Sequence, residues 1–546
     1  MVSRLAQAAA IHLPRTLRIG AGASLALPEV LRALRTTRPL ICTDDFIHKS
    51  GLMQPMLDTL SEHGIESKVF SGCIPDPTTD SLDAGVDAAK DCDVRRQDQA
   101  QGTLAHRTAL SVPGCFSTRV AQVVVGFGGG SSLDSAKAIA VLACHGGPLR
   151  RFKVPAEAPV GLPVVAVPTT AGTGSEVTRV AIVTDSETQE KMLCLGPGML
   201  ADAALVDFEL SMAKPYRLTA DSGLDTLCHA LEAYVSRKAN AFTDQMALSS
   251  MRSVVDNLPA ACADPNDRQA RESLMLAATQ GGIAFSNASV TLIHGMSRPL
   301  GAAFHVPHGL SNAILLPSIT EWSLPGAEQR YAECARALGY ASDAQSDAEA
   351  LAGLMGGLRG LLTSLKVPTG RPNPHPFTLA HSSSPIHPRP NPHSFTLTHS
   401  PSPIHPSPIH PHPFTLTHSS SPIHPPPIHP HPFTLTHSPI TYHPHLSPIT
   451  YHPHLSPITY HPHPHSHPHP SPLPLALTLT LTSLQVPTLV DLGVPRAQFT
   501  AMAPRMAEQA LASGSPANNP RVPDAAQVVR LYQAIYDEER QAASAP

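Results

Sequence analysis

The chain has 546 residues, enough for two or three domains, and its formal net charge of −4 gives no sign of the basic surface typical of nucleic-acid binding. No stretch reaches the ~18 apolar residues of a membrane-spanning helix, so we expect neither a nucleic-acid partner nor a membrane span. The 58 prolines and 31 histidines are unusual, and most of the histidines fall between residues 370 and 470. The composition therefore combines a globular protein with a segment of another kind.

The nine cysteines include no Cys-x-x-Cys pair and follow no regular spacing. This pattern is typical of a reducing compartment, and we expect a cytoplasmic location. The N-terminal sequence MVSRLAQAAAIHLPR has two arginines, and the first acidic residue of the chain is Glu29. A mitochondrial transit peptide is therefore a second interpretation of this segment, beside a plain helix or an unstructured start.

Strands and helices alternate in the pattern of residues 15–90. Asp44 and Asp45 directly follow a buried strand, the position at which a nucleotide-binding fold can hold a ribose. Capping the next helix is the other role open to Asp44. The predicted elements are a short strand after residue 15, a helix at Leu27–Leu34, strands at Pro39–Thr43 and Ser67–Phe70, a helix at 51–63, a turn at Pro75–Thr78 and a helix at Thr79–Lys90.

The alternation then stops. From Cys92 to Arg119 the sequence has no clear periodicity, and a strand begins again only at Val120. Helix-to-strand connections in α/β units usually have ~2–6 residues. We therefore interpret residues 93–119 as an inserted, poorly ordered surface loop.

Two loops rich in glycine and hydroxyl groups follow the next predicted strands. The first, Gly126–Lys137, reads GFGGGSSLDSAK and connects a strand to a helix. Glycines let the backbone approach a ligand closely and a helix N-terminus offers free N–H groups, so this loop predicts a pyrophosphate site, although it lacks the GxGxxG pattern. The second, Val164–Thr178, reads VVAVPTTAGTGSEVT, and its hydroxyls and amides can line a phosphate or a ribose.

From Tyr216 onward the pattern becomes helical. Asp225 and His229 lie one turn apart on one face of a predicted helix, whereas His294 and His308 are separated by a stretch with two prolines that predicts a helix end and a loop. One carboxylate and three imidazoles suit a borderline divalent metal such as Fe²⁺ or Zn²⁺, although each residue alone is more often structural. The predicted helices are 220–236, 240–256, 267–285, 288–297 and 326–338, followed by a last helix at 525–537.

A repetitive His/Pro segment begins at Thr369. A Phe-Thr-Leu motif recurs with a period of 18–19 residues from Phe377, and SPITYHPHL then recurs every nine residues from Ser438. Proline at this density blocks helix and sheet, so residues 370–487 are predicted to be disordered. The sequence LTSLKVPT before the segment reappears as LTSLQVPT after it. We interpret the segment as an insertion into one helical domain (212–369 and 488–546) that follows an α/β domain (1–211).

These motifs together resemble those of the iron-dependent (group III) alcohol dehydrogenases, in particular lactaldehyde reductase-type enzymes. GGGSSLDSAK, PTTAGTGSEVT, the Asp-x3-His pair, HGM-x-x-PLGA, PHG-x-x-NA and a terminal NPR occur in the family order over 13–91, 120–368 and 488–537. The resemblance implies an α/β N-terminal dinucleotide-binding domain and an all-α C-terminal metal-binding domain, the dehydroquinate synthase-like fold. It also implies hydride transfer between NAD(H) and a small alcohol, diol or hydroxy acid, in a homodimer or larger assembly.

The resemblance assigns roles to individual residues. Asp44 corresponds to the acid at the adenosine ribose, where a carboxylate repels a 2′-phosphate, so NAD is expected over NADP. Asp76 stands where relatives often have Asn, and Lys191 corresponds to a lysine near the nicotinamide ribose. The metal ligands correspond to Asp225, His229, His294 and His308, the pyrophosphate loop to Gly129, Gly130, Ser131 and Asp134, and the second cofactor loop to Thr169, Thr170 and Thr173.

One position near the chemistry departs from the family pattern. Some relatives have a second histidine four residues after the third ligand, but this chain has Arg298 there. A proton relay through that histidine therefore does not transfer. Two roles are open for Arg298, namely binding an acidic group of the substrate and pairing with a nearby carboxylate. Phe304 is expected to line the same pocket.

Other functions stay open at this point. A glycerol-type polyol dehydrogenase or a dehydroquinate-synthase-like lyase would share the architecture but uses three metal ligands, usually with Zn²⁺, and a maleylacetate-reductase-like enzyme uses no metal. The presence of a fourth candidate ligand argues against the polyol dehydrogenase and the lyase. The complete set of four argues against the enzyme that uses no metal. An inactive dehydrogenase homologue whose His/Pro segment binds metals or partners is the alternative outside enzymology. Tandem repeats with duplicated flanks favour an expanded insert over a selected function.

Overall fold

The computed structural model describes residues 8–90, 121–365 and 489–544. The predicted loop at 93–119 and the predicted disorder of 370–487 lie outside these residues. None of the helices in the described ranges combines the length and the apolar composition that crossing a membrane requires.

A six-stranded parallel sheet forms the N-terminal part, in the order β1-β8-β5-β4-β2-β3, with a separate antiparallel pair, β6-β7. Its central strands are buried on both faces, which explains their continuous apolar sequence. Val124 belongs to the core on one face and its neighbour Val125 to the core on the other, as the strand alternation requires. The strands are β1 (Thr16–Ile19), β2 (Pro39–Asp44), β3 (Lys68–Cys73), β4 (Val123–Gly128), β5 (Val164–Pro168), β6 (Val180–Thr184), β7 (Lys191–Leu195) and β8 (Ala203–Val206).

Helices connect these strands and then form the rest of the described chain. The α/β part has α1 (Leu27–Ala33), α2 (Asp45–Ser50), α3 (Gln54–Glu62), α4 (Thr79–Lys90) and α5 (Gly130–His145). The helical part has α6 (Tyr216–Val235), α7 (Ala241–Ala263), α8 (Arg268–Asn287), α9 (Leu292–Phe304), α10 (His308–Ser323), α11 (Glu328–Ala337), α12 (Asp347–Ser364), α13 (Arg496–Ala512) and α14 (Ala525–Ser544). The fold class expected for these residues, α/β followed by all-α, is therefore confirmed.

The helix that carries His294 corrects one prediction. The sequence pattern placed its end at residue 297, before Pro299, but α9 continues to Phe304 with Pro299 inside it. A proline removes only its own N–H, here the one that would reach the carbonyl of Gly295, and Pro299 is buried against the core. The helix ends where His305 takes a left-handed conformation, with φ of 55°. Packing therefore outweighs the local helix-breaking tendency.

Residues on both sides of the His/Pro segment share one hydrophobic core. Phe499 of α13 is 1% exposed, and its ring lies 5.6 Å from that of Phe304 and 4.9 Å from that of Tyr536. The Tyr532 hydroxyl of α14 donates a hydrogen bond to the carbonyl of Met296 in α9 at 2.6 Å. The segment after residue 488 is thus packed directly against the helix that carries His294.

Replacing Phe499 by alanine tests this packing. Because the ring is buried among three aromatic residues, we expect the free energy of unfolding to fall by about 3–5 kcal/mol. Leu492→Ala, at a side chain that is 37% exposed in the same segment, is the matched control and should change it by about 0.5 kcal/mol or less. Chemical denaturation of the full chain measures both, and equal small effects would show that this segment is not part of the core.

Candidate active site

The two glycine- and hydroxyl-rich loops contact each other at the carboxyl ends of β4 and β5. The Thr169 N–H donates a hydrogen bond to the Gly128 carbonyl at 2.9 Å. A Cβ atom on Gly130 would lie 2.7 Å from Thr173 Cγ2, so this close approach requires glycine. Since α5 begins at Gly130, its free N–H groups and positive end lie beside the threonine hydroxyls. The loops together form a surface suited to an anionic group.

Asp134 connects these two loops from inside the protein. One carboxylate oxygen accepts a hydrogen bond from Ser175 Oγ at 2.7 Å and the other from the Ile182 N–H at 2.9 Å. Burial raises the pKa of Asp134, although the nearby Lys137 ammonium opposes that rise. Lys137 is itself fully buried and donates to the Ser175 carbonyl at 2.6 Å. Both Asp134 oxygens thus have protein partners, and the residue holds the loops together.

Three other residues that the resemblance assigns to the cofactor converge at one place. Lys191 Nζ lies 2.7 Å from Asp76 Oδ1, and the Asp76 N–H donates to Ser131 Oγ at 3.3 Å. Lys191 is the first residue of β7. The lysine, the acid and the first loop therefore lie side by side.

Asp44 lies at the carboxyl end of β2 and caps α2. Its Oδ1 accepts a hydrogen bond from the Ile47 N–H at 2.8 Å. The capping role that the sequence left open is thus present, and the ribose contact stays a prediction.

Four candidate metal ligands meet in the helical part, and their ligand atoms all lie within 4.8 Å of one another. Three helices supply them: α6 carries the first two, α9 the third, and α10 begins with the fourth. Nε2 of the α9 histidine lies 3.4 Å from the carboxylate, and Nε2 of the α10 histidine lies 3.6 Å from it. The structure thus brings together Asp225, His229, His294 and His308, as the sequence predicted.

Two residues that sequence reasoning did not select complete this cluster. The Glu232 carboxylate accepts hydrogen bonds from His294 Nδ1 and, at 2.6 Å, from the Ile293 N–H. The Asn312 amide donates to Asp225 Oδ1 at 2.6 Å and lies 3.0 Å from His294 Nε2. Helical spacing places Glu232 on the same face as Asp225 and Asn312 on the same face as His308, but it could not have indicated their contacts with residues of other helices.

The charges of the cluster suit a cation. Burial lowers the pKa of His229 to about 3 and that of His308 to about 4, and the positive charge of Arg298 adds to both shifts. These two imidazoles are therefore neutral at pH 7 and carry lone pairs. Burial alone would raise the pKa of Asp225, but the surrounding histidines hold it below its usual range, so the carboxylate is ionised.

The donor atoms also fit a metal sterically and chemically. His294 donates through Nδ1 to Glu232, which orients the ring so that Nε2 faces Asp225 and Asn312. Burial favours the neutral ring, but the carboxylates of Glu232 and Asp225 raise the pKa of His294, and a metal bound at Nε2 would require the neutral form. His229 Nδ1 is buried and has no hydrogen-bond partner in the described residues, which is costly unless something binds there. One oxygen and three nitrogens at this spacing form a donor set that Fe²⁺ or Zn²⁺ accepts.

Arg298 lies on the same helix as His294, one turn further on. It is 9% exposed and donates a hydrogen bond to Ser515 Oγ at 3.1 Å. Burial lowers its pKa to about 10, so it remains positively charged at pH 7. Phe304 is partly buried and stacks on Phe499, and its expected place in the pocket lining stays a prediction.

Comparisons with known proteins agree with this geometry. The sequence model described as iron-containing alcohol dehydrogenase matches residues 14–96 and 114–208, and that of the family's C-terminal part matches residues 219–370. The NAD-dependent methanol dehydrogenase of Bacillus methanolicus is 33% identical over 329 residues, which cover 60% of this chain and 79% of that protein.

Two further relatives extend the comparison. Lactaldehyde reductase of Escherichia coli (strain K12) is 29% identical over 338 residues, 61% of this chain and 81% of that protein. The solved structure of sulfoacetaldehyde reductase from Bifidobacterium kashiwanohense in complex with NAD⁺ is 26% identical, with a TM-score of 0.57 and coverage of 67% of this chain and 88% of that chain. The chain therefore belongs to the iron-containing alcohol dehydrogenase family, as its motifs predicted.

Proposed function

We propose that this chain is a metal-dependent alcohol dehydrogenase that transfers hydride between NAD(H) and a small alcohol, diol or hydroxy acid. The observation that carries this proposal is the convergence of one carboxylate and three imidazoles within 4.8 Å. Their chemistry suits a Lewis-acidic metal, and membership of an iron-containing family favours Fe²⁺, although the donor set also accepts Zn²⁺.

Asp225, His229, His294 and His308 would hold this metal. When bound, a divalent ion lowers the pKa of a coordinated alcohol and polarises a carbonyl. The protein itself orients the ligands and sets their protonation. Glu232 orients His294, and burial keeps the imidazoles of His229 and His308 neutral.

The two loops would hold the dinucleotide beside this cluster. The Thr226 hydroxyl donates to the Gly172 carbonyl at 3.1 Å, which attaches the second loop to α6 next to Asp225. A cofactor held by the loops is therefore close to an alcohol held at the cluster, and such positioning is the main contribution a protein makes to hydride transfer. The residues proposed for the cofactor are Asp44, Asp76, Gly129, Gly130, Ser131, Thr169, Thr170, Thr173 and Lys191, with Asp134 acting through the loops.

The proposal also includes a domain boundary, an oligomeric assembly and a cellular location. A domain boundary at residue 211 falls between the end of β8 and the start of α6, which supports it. The homodimer or larger assembly and the cytoplasmic location stay predictions, which chromatography with light scattering and cell fractionation would test.

Replacing His229 by alanine tests the candidate metal site. We expect the variant to purify with little metal and to lose activity by more than the ~10–100-fold typical of an outer-shell change, because a buried ligand is removed. The control variant His63→Ala, at an exposed histidine of the α/β part, should keep both the bound metal and the activity. Metal analysis and NADH oxidation with small aldehydes measure the outcome, and normal turnover of His229→Ala would remove the metal from the mechanism.

Glu232→Gln tests the orientation of His294. The amide keeps the side-chain volume but loses the charge that fixes the imidazole, so metal affinity should fall about 10–100-fold. Competition with a chelator measures the affinity, and Glu272→Gln, at an exposed site on α8, is the control. Equal affinities of the two variants would contradict the positioning role.

Asp44→Ser tests the ribose assignment without removing the helix cap, since serine also caps helices. Loss of the negative charge should raise the ratio of kcat/KM for NADP over NAD by about tenfold or more, because like-charge repulsion against the 2′-phosphate costs several kcal/mol. Asp45→Ser changes the neighbouring exposed charge and should leave the ratio unaltered. An unchanged ratio in Asp44→Ser would refute the assignment.

A further inference from the structure

Arg298 is a buried cation that donates a hydrogen bond to a neutral hydroxyl. Its guanidinium donates to the Ser515 hydroxyl at 3.1 Å, and the side chain is only 9% exposed. Within residues 8–90, 121–365 and 489–544, no carboxylate oxygen lies at ion-pair distance from it. The ion pair that the sequence left open for Arg298 is therefore not formed by the described residues. Burying an unpaired charge is costly, so this arrangement calls for an anion from outside the protein.

The other cations of the same cleft already have acidic partners. Arg298 lines a cleft together with Lys153 and Lys191. Lys191 Nζ lies 2.7 Å from Asp76, and Lys153 Nζ lies 2.6 Å from Glu190. Arg298 is thus the cation of this cleft that has no ion-pair partner among the described residues, although the more distant carboxylates of Glu232 and Asp225 act against the lowering of its pKa by burial.

The position of Arg298 relates it to the proposed metal site. His294 and Arg298 are four residues apart on α9, and such residues have Cβ atoms roughly 5–6 Å apart on one helix face. A small molecule whose hydroxyl oxygen lies at the candidate metal site can therefore extend a second polar group to the guanidinium of Arg298. The planar fork of arginine matches both oxygens of a carboxylate.

We propose that Arg298 binds a carboxylate of the substrate, so that the preferred substrates are small hydroxy acids and the corresponding oxo acids. This inference rests on the proposed dehydrogenase function. The hydroxyl-bearing carbon gives its hydrogen with two electrons to the nicotinamide as hydride, and the hydroxyl proton leaves to solvent. The carboxylate and Arg298 are chemically unchanged, so Arg298 determines specificity.

A purely structural role for Arg298 makes a different prediction. Ser515 precedes Pro516, and a Cβ atom on Gly295 would lie 2.7 Å from Pro516 Cγ, so this loop packs tightly on α9. If Arg298 served only to fasten the loop, Ser515→Ala would reproduce its loss. Both substitutions would then change the affinities for charged and uncharged ligands equally.

Ligand binding separates these roles without requiring turnover. The probes are glycolate and 4-hydroxybutyrate, with ethylene glycol and 1,4-butanediol as uncharged counterparts, added to the metal- and NAD⁺-loaded full chain in calorimetry. We expect each acid to bind the unaltered protein roughly 10- to 100-fold more tightly than its counterpart, as for a charged hydrogen bond. Arg298→Met should abolish the difference, Arg298→Lys should retain part of it, and Ser515→Ala should retain it.

Several results would overturn the inference. These are equal binding of acids and uncharged ligands by the unaltered protein, an unchanged difference in Arg298→Met, and equal losses for both ligand classes in Arg298→Met and Ser515→Ala. Tighter binding of isethionate than of glycolate would assign the site to sulfonates and also refute the carboxylate. A changed KM for NADH with unchanged acid binding would assign Arg298 to the cofactor.

Turnover then distinguishes failure of this inference from failure of the proposed function. Efficient reduction of butanal with NADH but poor reduction of succinate semialdehyde would overturn the carboxylate site and leave the dehydrogenase standing. Arg298-dependent binding of acids without reduction of any aldehyde or oxo acid would support the anion site and refute the dehydrogenase.

Discussion

The ionised carboxylate of Asp225 is the constraint on which the helical part depends. It is 2% exposed, and a buried charge of this kind is unfavourable unless groups around it compensate. The Asn312 amide donates a hydrogen bond to it at 2.6 Å, and three imidazoles lie around it: His229 one turn along α6, His294 from α9, and His308, the first residue of α10. Three helices must therefore meet at one point, and a divalent cation there would satisfy the carboxylate and the imidazole lone pairs together.

This point is connected to the sheet through the second glycine-rich loop. The loop backbone accepts a hydrogen bond from Thr226, the residue after Asp225, and Gly172 approaches the backbone of Ser222. Asp134 in turn ties that loop to the first one through Ser175. A chain of short contacts thus runs from the strand ends to the metal cluster. Such rigid support for both reactants is what catalysis by positioning requires.

Local sequence patterns predicted the parts of the fold that depend on local rules. Apolar runs such as Val123–Val125 identified buried parallel strands, glycines identified the close approach at Gly130, and the Asp-x3-His spacing placed two ligands on one helix face. That His294 and His308 join them came from the motifs of a known family. Spacing along the chain alone could not have established it.

What the sequence did not reveal depends on contacts between distant residues. Glu232 acquires its role only because α6 packs against α9, 62 residues further along the chain. Asp134, assigned to the cofactor by its motif, has both oxygens bound within the protein by residues 41 and 48 positions away. Pro299 is tolerated inside α9, where it is buried, because its helix neighbours Met296 and Leu300 pack in a core formed partly by residues beyond 488.

The most direct test of a metal site in the helical part is anomalous X-ray diffraction at the iron edge, from crystals of the full chain loaded anaerobically with Fe²⁺. We expect one strong anomalous peak, enclosed by the side chains of Asp225, His229, His294 and His308. A peak elsewhere, for instance only among the histidines of residues 370–487, would contradict it. The absence of a peak at these four residues in loaded crystals would also contradict a metal site there, because the buried carboxylate and imidazoles would then need another explanation.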